Sequence, residues 1–86
     1  MKIRLTEHAK ERANERRTTE GEVSMVLSSG QEAQLKKGRK SKEMVFDYNR
    51  NWLGKHYPQK KLKVVYAEED DLMVVITIKV YYDEWR

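Results

Sequence analysis

Three side chains near the start of the chain, His8, Arg12 and Arg16, recur at i, i+4 and i+8. On a helix that spacing stacks one imidazole and two guanidiniums into a single stripe. Histidine can take or give a proton near neutral pH, and arginine presents the bidentate fork that grips phosphate oxygens. Together they are what a site for a phosphodiester would present. Were that phosphodiester a ribonucleotide's, cleaving it without a metal would need a base for the ribose 2′-hydroxyl, positive charge for the phosphate in the transition state, and an acid for the leaving 5′-oxygen. Neutral His8 would be the base; protonated, it would be the acid or a phosphate contact. The same stripe also suits ordinary surface, with His8 bonded to the sheet or a loop. Glu7, Glu11, Glu15 and Glu20 are in reach of the arginines for salt bridges.

The elements that must carry this stripe are legible in the pattern. Ile3 and Leu5 alternate with Lys2 and Arg4, so a short strand opens the chain. Thr6 is a credible N-cap for a first helix over residues 7–17, whose only core-compatible residues, Ala9 and Ala13, call for close approach to a sheet. Thr19-Glu-Gly-Glu22 reads as a capping box for a second helix over residues 20–29, with Val23, Val26 and Leu27 on one face and Gly30 as its stop. Residues 33–35 could form a brief edge strand, and residues 44–48 have strand composition. Residues 49–61, which hold the only proline, read as a long hairpin loop. Residues 62–66 and 72–81 are the strongest strands, paired antiparallel across the acidic turn at 68–71.

Composition narrows the function classes. Eighty-six residues make one domain, 1–86, with a small core: folding at this size buries roughly 60–65% of the unfolded chain's surface. The chain has no cysteine, which removes disulfides, thiolate metal sites and a cysteine nucleophile. With His8 and His56 the only imidazoles, and the carboxylates at 68–71 consecutive on a turn, no metal and no cofactor is expected. No apolar run approaches the roughly 20 residues that span a bilayer, and the first residues lack a signal-peptide core, so no membrane association and a cytoplasmic location are expected.

Eighteen Lys and Arg against fourteen Asp and Glu leave a net charge of +4, and residues 36–42 hold five of the cations in seven positions. Phosphate-bearing partners become plausible, although such a run also suits a solvated loop. Lys40, Lys42, Lys61 and Lys63 are expected around a concave sheet face, attracting a polyanion in a salt-dependent way. Trp52, His56 and Tyr57 interleave with Arg50 and Lys55, the pattern of a stacking platform for single-stranded bases or of anchors for a long loop.

Thr6-x-His8-Ala9-x-x-Arg12-x-x-x-Arg16, the capped second helix, the Phe46 strand, Leu62-Lys63-Val64-Val65 and Val74-Val75-Ile76-Thr77 together resemble the DUF4258 domains of bacteria and archaea, over about residues 3–80. That resemblance implies a fold shared with the barnase, EndoU, colicin and RelE-like ribonuclease toxins: α+β, two N-terminal helices packed on a curved antiparallel sheet of about four strands. It also implies a metal-independent endoribonuclease activity, with RNA, free or ribosome-associated, as substrate and an antitoxin protein as partner. The loop at 49–61 and the aromatic tail at 81–86 lie outside the family pattern. Thr77 lies within it and interrupts an apolar run, where its hydroxyl could meet His8 or a phosphate, or serve only as a β-former. His8, Arg12, Arg16 and Thr77 are therefore the candidate catalytic set. Lys40, Lys42, Trp52, Tyr57, Lys61 and Lys63 are the candidate RNA contacts. The alternatives are a non-catalytic nucleic-acid or protein-binding module on the same fold, and an interaction protein that forms a homodimer through its aromatic C-terminus.

Overall fold

A computed structural model describes residues 2–85. Along the chain lie β1 (Lys2–Leu5), α1 (Glu7–Glu15), α2 (Glu20–Ser29), β2 (Gln31–Gln34), β3 (Lys40–Trp52), β4 (Lys55–Glu69) and β5 (Leu72–Asp83). The strands form one sheet in the order β1-β5-β4-β3-β2, with β1 parallel to β5 and every other pair antiparallel. The fold is α+β, as expected, but the sheet is mixed and has five strands rather than about four antiparallel ones. The opening strand accounts for the difference, because it lies beside the last.

Both helices pack on one face. Val23, Val26 and Leu27 of α2 and Ala9 and Ala13 of α1 meet Leu62, Val64, Tyr66, Val75 and Ile78 of the sheet, all buried. Ala9 is fully covered, so small residues do bring α1 close. At Gly30 a Cβ would fall 2.5 Å from the Val26 carbonyl oxygen and 2.9 Å from that of Glu43, which is why the chain can leave α2 for β2 only through glycine.

The first helix ends earlier than residue 17. Arg16 is its C-cap, Arg17 is left-handed at φ 54°, and the Arg17 and Thr18 amides donate to the Asn14 and Ala13 carbonyls. This is a Schellman closure with arginine where glycine is usual. Thr18 is buried, and its hydroxyl has no partner among the described residues.

Residues 49–61 are not a loop. β3 and β4 run on as a ribbon to a two-residue turn at Leu53 and Gly54, both with positive φ, as a tight hairpin requires. Pro58 is accommodated because Asp47 pairs with Gln59 and Arg50 with Tyr57, so Tyr48 and Asn49 bulge opposite it and no ladder N–H is needed there. The ring of Tyr82 fastens the ribbon to β5, with its centroid 5.0 Å from Tyr48, 5.1 Å from Trp52 in a stacked arrangement, and 5.7 Å from Tyr57. The aromatic tail folds back as well. The Trp85 amide donates to Gln59 Oε1 at 2.7 Å, and Lys61 Nζ stands 4.9 Å from its ring. Arg86, the last residue of the tail proposed as a dimer contact, lies outside the described residues.

Two polar junctions fix the helices to the sheet. Thr6 receives the chain from β1: its amide donates to the Val75 carbonyl at 3.0 Å, its hydroxyl donates to the Ile76 carbonyl at 3.2 Å, and the same oxygen caps α1 by accepting from Ala9 N at 3.1 Å. At α2 the capping box closes as expected, and Glu22 also meets Lys60 Nζ at 2.7 Å. Lys60 is buried, about 6 Å from the rings of Phe46 and Tyr48. Burial raises the Glu22 carboxyl. The hydrogen bond and charge of Lys60 and the bonds from Thr19 outweigh it and hold the group below its ordinary 4.5.

Glu22→Gln strands a buried ammonium. Because the Glu22 side chain keeps 24% of its exposure, the expected loss of stability at neutral pH is about 2 kcal/mol, less than for a fully buried pair. A carboxyl lowered by folding stabilises above its unfolded value and loses that contribution as pH falls through the folded one, so the deficit against wild type should shrink below pH 4.5. Urea unfolding at neutral and acid pH checks both. Thr6→Ala removes the cap and the bond to Ile76 together, and should lower the urea-derived stability by about 1–2 kcal/mol, with Thr6→Ser recovering most of it.

Candidate nucleic-acid interface

A break in register places the first helix against the last strand. Val65 pairs with Thr77 and Tyr66 with Val75, so Ile76 is an extra residue in β5 and the strand turns there. The bulge hands the Ile76 carbonyl to Thr6 and the Thr77 hydroxyl to His8, whose Nε2 lies 3.1 Å from Thr77 Oγ1. β1 pairs only with residues 72–75, so beyond the bulge no strand among the described residues lies beside this edge of β5.

The stripe on α1 runs along that open edge. Arg12 and Arg16 face Thr77, Lys79 and Tyr81 across a groove of about 270 Å³. Arg12 makes a long ion pair with Glu15, 3.6 Å, in which both side chains are largely exposed. Such a pair contributes little and is easily exchanged for a ligand. Arg16 pairs with no carboxylate among the described residues. Its charge is felt at the Tyr82 phenol, which burial and neighbouring Tyr48 push up and Arg16 partly offsets.

From Arg16 and Tyr81 the surface continues into a larger groove of about 640 Å³, which includes Trp52, Tyr57, Lys61, Lys63 and Trp85. Lys61 stands between Val45 and Tyr81, and Lys63 between Glu43 and Lys79, on the sheet face away from the helices. All candidate residues except two therefore border one continuous surface around the free edge of β5.

Lys40 and Lys42 are the exceptions. Their register partners are Tyr66 and Val64, core residues, so both lysines stand on the helix-bearing face. Lys40 pairs with Glu68 at 3.2 Å, and Lys42 donates to the Leu27 carbonyl at 2.7 Å, where a cation caps the C-terminal end of α2. A count of cations in residues 36–42 carried no information on facing, whereas alternation along β3 does.

Lys79, which no motif marks, and Tyr81, read from the sequence only as the start of the aromatic tail, join the groove. Their signal was present: Thr77, Lys79 and Tyr81 alternate with Ile78 and Val80, the period of a strand with one polar side. Among the described residues no group of three or more His, Asp or Glu side chains is placed to hold a metal ion. No helix among the described residues is long and apolar enough to cross a membrane.

No curated protein and no solved structure matches the chain significantly. One family profile does, described as a domain of unknown function, DUF4258, and it matches residues 5–80. That span contains the capped helix with its His8–Arg12–Arg16 stripe, the sheet strands β2 to β4 and β5 through Val80, and on this match the chain belongs to the DUF4258 family.

Proposed function

We propose that this protein is a metal-independent endoribonuclease of the RelE-like toxin superfamily, acting on single-stranded RNA laid around the free edge of β5. The observation that carries the reading is the pairing of His8 Nε2 with Thr77 Oγ1 at the head of a groove lined by Arg12, Arg16 and Lys79. A proton-transfer group is thereby held by a second residue beside Arg16 and Lys79, which form no ion pair among the described residues, and Arg12, whose pair with Glu15 is long and exposed.

In this reading His8 takes the proton of a ribose 2′-hydroxyl while the oxygen attacks the adjacent phosphorus. Arg12 and Arg16 neutralise the charge that grows on the non-bridging oxygens. As the bond to the 5′-oxygen breaks, the imidazolium returns its proton to that leaving group, so one histidine serves both ends. The products are a 2′,3′-cyclic phosphate and a 5′-hydroxyl. Thr77 orients the ring, and Lys61 and Lys63 attract the flanking strand.

A second reading has its own support. Nε2 is already occupied by Thr77, as a histidine with a purely structural role would be, and the surface would then bind RNA without cutting it.

Incubation of wild type and His8→Ala with mixed single-stranded and ribosomal RNA in EDTA separates the two. Cleavage by wild type that falls by about 10²-fold or more in the variant, with RNA affinity nearly retained, is expected of the ribonuclease. Salt-sensitive binding by both proteins and cleavage by neither would favour the binding module. Full cleavage by His8→Ala would refute the mechanism.

A further inference from the structure

A third cavity, of about 380 Å³, lies at the stacked Trp52 and Tyr82 rings, between the α1–α2 turn and the distal end of the β3–β4 ribbon. Arg16, Arg17 and Arg50 border it, and none of the three forms an ion pair among the described residues. Its remaining charges nearly cancel. Lys60 and Glu22 neutralise each other, which leaves Asp47 as the single unpaired carboxylate against three guanidiniums.

Two turns of the backbone set the place of two of those arginines. Arg17 itself occupies the left-handed position of the helix closure, and Arg50 follows the left-handed Asn49 of the β3 bulge. The helix closure and the bulge opposite Pro58 each bring a cation to the same cavity. The opposite wall is aromatic: Tyr48 and Trp52 lie against Tyr82, and Trp52 is only partly buried.

Guanidiniums without counter-ions call for an anion, and an aromatic wall beside them calls for a flat ring. We propose that this cavity binds one nucleotide of the RNA strand, with its phosphates on Arg17 and Arg50 and its base against the Tyr48–Trp52–Tyr82 wall. The inference rests on the ribonuclease reading only for the identity of the strand. Arg16 borders both this cavity and the groove at β5, so it links the bound nucleotide to the neighbouring phosphate. The site sets which position of a strand is presented to His8.

Adenosine 3′,5′-bisphosphate, which carries both phosphates of an internal nucleotide, is the probe. In a Trp85→Phe background the fluorescence reports Trp52 alone, since the chain has two tryptophans. Saturable change with the bisphosphate, at an affinity about five- to hundredfold above that for inorganic phosphate or for adenosine, is the expected result. Arg17→Gln and Arg50→Gln should each weaken it several-fold. Arg17→Gly should weaken it equally while unfolding no earlier in urea, because glycine accepts the left-handed position without strain; loss of ligand is thereby separated from loss of fold. Equal affinity for bisphosphate and inorganic phosphate, or binding indifferent to Arg17→Gln and Arg50→Gln together, would overturn the proposal. The titration contains no cleavage step, so it and the ribonuclease reading can fail independently.

Discussion

Thr6 is the contact on which the arrangement of the candidate site depends. Its amide, hydroxyl proton and hydroxyl lone pair are committed to Val75, Ile76 and Ala9, so one residue ends β1, grips the β5 bulge and starts α1. The direction of α1 is thereby tied to the point where β5 loses its neighbour. His8, two residues on, can only lie beside Thr77, and each further turn of helix adds an arginine along the open edge. Without the extra residue at Ile76 the Thr77 hydroxyl would follow the regular alternation of the strand.

The cations divide by what the surrounding chain asks of them. Lys60 closes a buried junction with Glu22, Lys42 caps a helix end, and Lys40 pairs with Glu68. These are structural. Arg16, Arg17, Arg50, Lys63 and Lys79 form no ion pair among the described residues, and they border the two grooves and the cavity at the Trp52–Tyr82 stack. The net charge of +4 is modest, and carboxylates share these surfaces: Glu43 and Asp83 border the larger groove, and Asp47 borders the cavity at the stack. The cations outnumber the acids along both, and that local excess, rather than the total, is what a polyanion would meet.

Much of the scaffold was legible because it rests on local rules. The capping box at Thr19 and Glu22, the alanine face of α1 and the two C-terminal strands all announce themselves over a few residues. The β3–β4 ribbon did not. Its turn is Leu-Gly rather than a usual Asn-Gly or Asp-Gly pair, and Pro58 argues against a strand unless a bulge opposite it is known in advance. The stripe of His8, Arg12 and Arg16 followed from helical period, and its contact with Thr77 was one of several open alternatives. The meeting of Arg17 and Arg50 was invisible, because it joins a helix closure to a hairpin 33 residues further on and neither end has a motif. Lys40 and Lys42 were misplaced for the same reason: the face of a strand is set by its neighbours in the sheet.

The central claim is that His8 takes a proton from a ribose 2′-hydroxyl, and the most direct test compares one oligonucleotide sequence as RNA and as DNA, in EDTA, with end-group analysis of the products. The account predicts salt-dependent binding of both strands, cleavage of the RNA alone, and a 2′,3′-cyclic phosphate at the new 3′ end. Cleavage of the DNA strand, or RNA products that begin with a 5′-phosphate, would contradict it.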